Sequence, residues 1–262
     1  MKERSENTTR KLPALTALAL IVFFWWALCE SGAVPSYMLP SPADVVRAFV
    51  SDFPNLTFHA KTTLLEAFYG LLIGIALAFV IATVMDRFRT LKEALSPILV
   101  ITQTIPTIAI APLLVLWMGF GMAPKITLVV ITTFFPIAVG LLDGYRSVDL
   151  DEINLMRAMG AGSGQIFRYV KFPSALPFFF SGLRISASYA VVGAVIAEWL
   201  GGFEGLGVYM TRVKKAYAFD RMFAVIILIV VISLLLMALV DLIRDLAMPW
   251  HRVKAVNQNH NS

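Results

Sequence analysis

Apolar residues in this chain run in long, nearly unbroken blocks, and a helix made from such a block has no polar stripe to turn toward water. Lipid is the solvent that tolerates this. Crossing a hydrocarbon core about 30 Å thick takes roughly 20 mostly apolar residues, and the backbone must satisfy its own hydrogen bonds there. By that measure the blocks at 12–28, 64–85, 94–118, 126–142, 178–200 and 222–246 predict about six membrane-spanning helices. The expected fold class is therefore all-α, a polytopic membrane protein. With 58% hydrophobic and 15% charged residues, the composition excludes an ordinary soluble domain. The first block follows a basic start (Lys2, Arg4, Arg10, Lys11) as a secretory leader would. It is too long for one, however, and Cys29, Glu30 and Ser31 follow it where a small-residue cleavage site would stand, so it reads as a retained span.

Orientation follows from the Lys and Arg count, because positive flanks stay on the cytoplasmic side. Placing both termini inside puts 14 basic residues in cytoplasmic segments against 7 outside, with Arg184 near a boundary. The organisation expected is a cytoplasmic N-terminus (1–11), a first helix (12–28), an external Pro-rich segment (29–60), a core transmembrane domain (61–247) containing a cytoplasmic loop (143–173), and a cytoplasmic tail (248–262). In the external segment, Ser41, Pro42 and Asp44 have the order of a helix cap, first position and dipole partner. They predict a short amphipathic helix over 42–50 with Val45, Val46 and Phe49 apolar.

The loop at 143–173 is the longest polar interval. Ser147 and Asp149 can start a helix whose first turn holds Asp151 and Glu152. Leu155, Met156 and Met159 fall on one arc, and Gly160, Gly162 and Gly164 permit a sharp turn into a second helix from about Gln165. Pro173 and Pro177 then mark the start of the fifth span. A helix, glycine turn and helix with adaptable methionines suits a docking surface. A long amphipathic connection packed on its own bundle has the same pattern.

Gly160, Val170, Phe172 and Pro173 resemble the cytoplasmic signature of binding-protein-dependent ABC permeases: Glu-Ala-Ala, three residues, Gly, nine residues, Ile, one residue, Leu-Pro. The Glu-Ala-Ala triplet is replaced here by Asn154, Leu155 and Met156, and the likeness resumes at Arg157, Ala158, Met159, Gly160, Ala161 and Gly162. LPSPADV from Leu39, QTIPTIAIAPLLVLWMGFG from Gln103 and EWLGGFEGLGVYM from Glu198 look like the branch holding nitrate, sulfonate and taurine permeases and those for thiamine-pyrimidine precursors. DRFR from Asp86, FFPIAVGLLDG from Phe134 and AEWLGG look more like pyrimidine-precursor or riboflavin-type permeases. The resemblance implies a type I ABC importer permease fold in the inner membrane. It further implies a second copy of the chain, a cytoplasmic ABC ATPase dimer that grips the loop around 154–164, and an external solute-binding protein. Sulfonate, taurine or nitrate transport is the alternative within the class, and a secondary carrier or membrane-embedded enzyme a remote one.

Candidate pathway residues are Gln103, Thr104, Pro106 and Thr107, which make the third span polar and bent, together with Ser186, Tyr189 and Glu198. Each also has a plain packing reading. Glu198 beside Trp199 could be an interfacial carboxylate, and Glu66 a snorkelling or capping residue. His59, His251 and His260 are scattered, so neither a metal site nor a catalytic centre is expected. No phosphate-binding Gly-rich loop is present, which leaves ATP and Mg to a partner subunit and no cofactor to this chain. The net charge of +5 sits in short clusters between apolar blocks, which argues for a membrane and against nucleic acid.

Overall fold

The computed structural model describes residues 2–32, 34, 35 and 38–249, with side chains at 13 and from 15 onward. Most of the expected tail, with His251, Arg252, Lys254 and His260, lies outside the described residues. Those described form eleven α-helices and no strand: α1 Lys2–Glu30, α2 Pro42–Ser51, α3 Phe53–Arg87, α4 Arg89–Thr104, α5 Thr107–Met118, α6 Met122–Arg146, α7 Leu150–Ala158, α8 Ser163–Ile166, α9 Phe172–Leu200, α10 Leu206–Lys215 and α11 Phe219–Ala247. A π-helical turn, Phe167–Lys171, joins α8 to α9, so Ser163–Leu200 runs as one 38-residue helix. Pro173 and Pro177 thus lie inside a continuous helix and do not begin one. Pro173 is tolerated there because it falls in the first turn of α9, beside the π turn.

Four helices are long and apolar enough to cross a membrane: Phe53–Arg87, Met122–Arg146, Ser163–Leu200 and Phe219–Ala247. The block expected as one bent span at 94–118 is instead two helices, α4 and α5, meeting at 98°, and counts as a fifth crossing only if the pair is taken together. Its breaker is Pro106, which has no amide donor and sits outside both helices in an extended conformation. Pro97 and Pro112, inside α4 and α5, interrupt neither. The first block gives a shorter apolar helix, Leu15–Glu30, so against the six expected spans the described residues hold four long crossings, or five with the bent pair taken as one.

The chain divides into two compact units. Unit 1 holds Met1–His59 and Tyr209–Leu228. In it Ser41 caps α2 by accepting from the Asp44 amide at 3.2 Å, and its hydroxyl and Arg47 hold the Asp44 carboxyl below its usual range. Val45 and Ala48 of α2 pack with Ala224 against Trp25, Phe49 and Phe223, whereas Val46 is exposed, so the apolar face is narrower than its composition suggested. Tyr209 donates to Asp52 and stacks on His59 at 5.0 Å between ring centres; burial first, then the Asp52 contact, pushes its hydroxyl up to about 12.

Unit 2 holds Ala60–Val208 and Ile229–Ser262. Its core joins Ala78, Ala82 and Met85 of α3 to Ile137, Leu141 and Tyr145 of α6 and Phe180, Leu183 and Ala187 of α9. Helices α6 and α9 approach most closely where glycine faces backbone. A Cβ on Gly140 would stand 2.7 Å from the Phe178 carbonyl oxygen, one on Gly144 would stand 2.5 Å from Ala175 Cα, and one on Gly182 would overlap the Pro136 carbonyl. Small residues let helix backbones meet in this way.

Candidate functional site

Three polar features of unit 2 interrupt its apolar body. The first is the hairpin after α6. Asp149 caps α7 by accepting from the Asp151 amide at 2.9 Å, and Asp151 and Glu152 occupy the positive end of the helix. Its far end closes with Gly160 at φ +83°. The Gly160 amide donates to the Arg157 carbonyl and the Ala161 amide to the Met156 carbonyl, both at 2.9 Å, a pairing that only a left-handed residue permits. The Gly162 amide then donates to Gln165 Oε1 at 2.8 Å, starting the next helix. No residue of α7 is buried. Leu155 and Met159 are 63% and 75% exposed, Asn154, Arg157 and Ala158 are exposed, and Met156 is half-buried. The loop's return is pinned by Lys171, which donates to Asp86 of α3 at 2.8 Å.

The second feature is a cavity of about 250 Å³ at the break between α4 and α5. Its polar lining is Thr102, Gln103, Thr107, Thr132 and Tyr189, and its apolar walls are Ile105, Ile131, Val192 and Ile196, with Gly193 between. Of the candidate pathway residues, Gln103, Thr107 and Tyr189 meet here. Thr104 and Pro106 adjoin the break without lining the cavity, and the Thr104 hydroxyl donates to the Ile101 carbonyl at 2.8 Å. Ser186 lies elsewhere, fully buried, donating to the Thr133 carbonyl at 2.8 Å.

The third feature is a charged cluster. Glu198 is 2% exposed: its Oε1 accepts from Thr63 at 2.7 Å and its Oε2 from the Gly207 amide at 2.6 Å. Thr63 accepts in turn from the Leu206 amide at 2.8 Å, so one carboxylate and one hydroxyl satisfy the free amides that open α10. Glu66, wholly buried, pairs with Lys125 Nζ at 2.7 Å, and its carboxyl also meets that of Glu198. Lys125 is 4% exposed and reaches the Glu204 carbonyl at 3.4 Å. Glu198 is therefore neither an interfacial carboxylate nor part of the cavity lining, and Glu66 neither snorkels nor caps. Burial removes a carboxylate's hydration, and each found donors inside the bundle instead. Lys125, one of the seven basic residues counted outside, is the buried counter-ion. The signal was there: a Glu a few residues inside an apolar block requires a partner.

Residues 70–250 match the family model for the binding-protein-dependent transport system inner membrane component. A probable ABC transporter permease protein of Haemophilus influenzae is 38% identical over 88% of this chain and 95% of its own length. The formylaminopyrimidine transport permease of Halalkalibacterium halodurans is 35% identical over 92% of this chain and 96% of its own. Among solved structures, an inward-facing MetNI methionine ABC transporter superposes with a TM-score of 0.60 over 73% of this chain and 94% of that one; at 23% identity the likeness speaks for the fold alone.

Proposed function

Because this chain belongs to the family of binding-protein-dependent transport system inner membrane components, we propose that two copies of it form the pathway of an ATP-driven importer for a small polar organic solute, of the thiamine-pyrimidine-precursor or riboflavin-like kind. The coarser statement holds plainly: it is an ABC importer permease subunit and a multi-pass inner-membrane protein. The finer reading adds a cytoplasmic ATPase dimer gripping the exposed hairpin, an external solute-binding protein, and both termini inside. One observation carries the motor assignment: α7 and its cap present Leu155 and Met159 to solvent on a helix end fixed by Gly160, an apolar knuckle that no other described residue covers. Switching a bundle nearly completely between two states takes a differential preference of about 5.5 kcal/mol, so such a contact has to be stiff.

For the solute, support comes from the formylaminopyrimidine permease among its relatives. A sulfonate, taurine or nitrate solute is the second reading, favoured by the motifs shared with that branch. The test of the importer reading is copurification and coupling. The gently solubilised chain retains an ATPase subunit, and Met159→Asp or Gly160→Pro inserts normally but hydrolyses ATP without uptake. Wild-type coupling in both variants removes the motor assignment.

A further inference from the structure

We infer that the cavity at the α4–α5 break binds the transported solute and admits only an uncharged, flat, single-ring solute carrying both hydrogen-bond donors and acceptors, so that this chain selects its cargo independently of any external binding protein. The inference rests on the importer reading above and narrows it.

The first argument is charge. Among the described residues, no Asp, Glu, Lys, Arg or His lines the cavity. An anion moved from water into such a place would have neither a cation nor enough donors, at a cost of several kcal/mol. The break brings two opposite helix ends together, the carbonyl end of α4 and the amide end of α5. Partial charges of opposite sign then meet at the cavity, which removes the net positive field that a lone helix N-terminus would offer an anion. The second argument is the pattern of hydrogen bonding. Gln103 supplies an amide with donors and an acceptor, and Thr107 and Tyr189 supply hydroxyls that act either way. The Thr132 hydroxyl already donates to the Val129 carbonyl at 2.9 Å, which leaves it an acceptor toward the cavity. A ring edge with amine and ring-nitrogen or carbonyl groups matches this mixture, whereas an oxyanion offers acceptors only. The third argument is shape. The walls are aliphatic, and Gly193 puts no side chain between them where α9 comes close to α6: a Cβ there would stand 3.0 Å from Thr132 Oγ1. At about 250 Å³ the space falls below the range for drug-sized ligands, roughly 300–1,000 Å³, and suits one substituted ring.

The chain has a single cysteine, Cys29, so a Cys29→Ser background carrying Thr107→Cys or Thr132→Cys reports the cavity alone. In the assembled transporter, a neutral 4-aminopyrimidine in excess is expected to slow maleimide labelling of either cysteine by at least about fivefold, as site occupancy requires. Methanesulfonate at the same concentration is expected to leave the rate unchanged. Adding Gln103→Ala should weaken the protection about tenfold, the cost of an unmade hydrogen bond. Equal protection by both probes, or by methanesulfonate alone, overturns the inference. So does the absence of protection at both cysteines in a transporter that still couples ATP hydrolysis to uptake. Loss of that coupling in the unlabelled wild type would instead count against the importer reading.

Discussion

The cluster around Glu66 and the cavity around Gln103 are both built on α6 and α9, yet they treat polarity in opposite ways. The cluster is built of charged residues and is shut: Glu66, Lys125 and Glu198 are buried, Glu66 Oε1 pairs with Lys125, Glu198 accepts from Thr63 and from the opening of α10, and Glu66 Oε2 alone has no hydrogen-bond partner among the described residues. The cavity carries no charge and is open, with Gln103 and Tyr189 exposed to it. Charge that must survive inside a bundle needs fixed partners, and those partners hold it in place. Hydroxyls and amides cost far less to desolvate than charges, so they can line an open cavity. Glu66, Lys125 and Glu198 thus serve architecture, while Gln103, Thr107 and Tyr189 face the cavity.

The largest test of that contrast is Lys125→Met. It leaves two buried carboxyls without their ammonium, and unfolding in detergent should show a loss of about 3–5 kcal/mol. The double variant Lys125→Met/Glu66→Met should recover most of it; a single variant within about 0.5 kcal/mol of wild type would mean that the cluster is not structural. Thr63→Val comes next. It removes the donor to Glu198 and the acceptor for the Leu206 amide together, at about 1–3 kcal/mol by the same measurement, with the segment after α9 becoming more accessible to proteolysis. The smallest effect belongs to the cavity. Gln103→Leu should shift stability by no more than about 0.5 kcal/mol while lowering uptake, and a loss comparable to that of Thr63→Val would make the cavity wall part of the core after all.

What sequence made legible and what it hid follow the same division between local and distant. The cap of α2 at Ser41, Pro42 and Asp44, the start of α7 at Asp149 and its stop at Gly160 were all readable, because each is settled within a few residues by backbone amides and φ. The apolar blocks located the long helices for a similar reason. The break at Pro106 was visible as a proline but not as a turn of 98°, since prolines 97 and 112 in the same stretch stay inside helices and only packing decides which one yields. The pairing of Glu66 with Lys125, and of Thr63 with Glu198 across 135 positions, is tertiary and leaves no periodic trace. Gln103, Thr107 and Tyr189 were singled out one by one as polar residues in apolar blocks, but their meeting in one cavity required the fold.

The glycine contacts between α6 and α9 bear on how movement could pass through this molecule. With backbone set against backbone at Gly140, Gly144 and Gly182, the two helices cannot slide past each other without lifting apart. The hairpin at 147–162 is strung between their adjoining ends, like a handle whose two shanks are welded. A push on it would find little slack to take up between the shanks, so the displacement would be carried toward the far ends of both, at Met122 and Leu200.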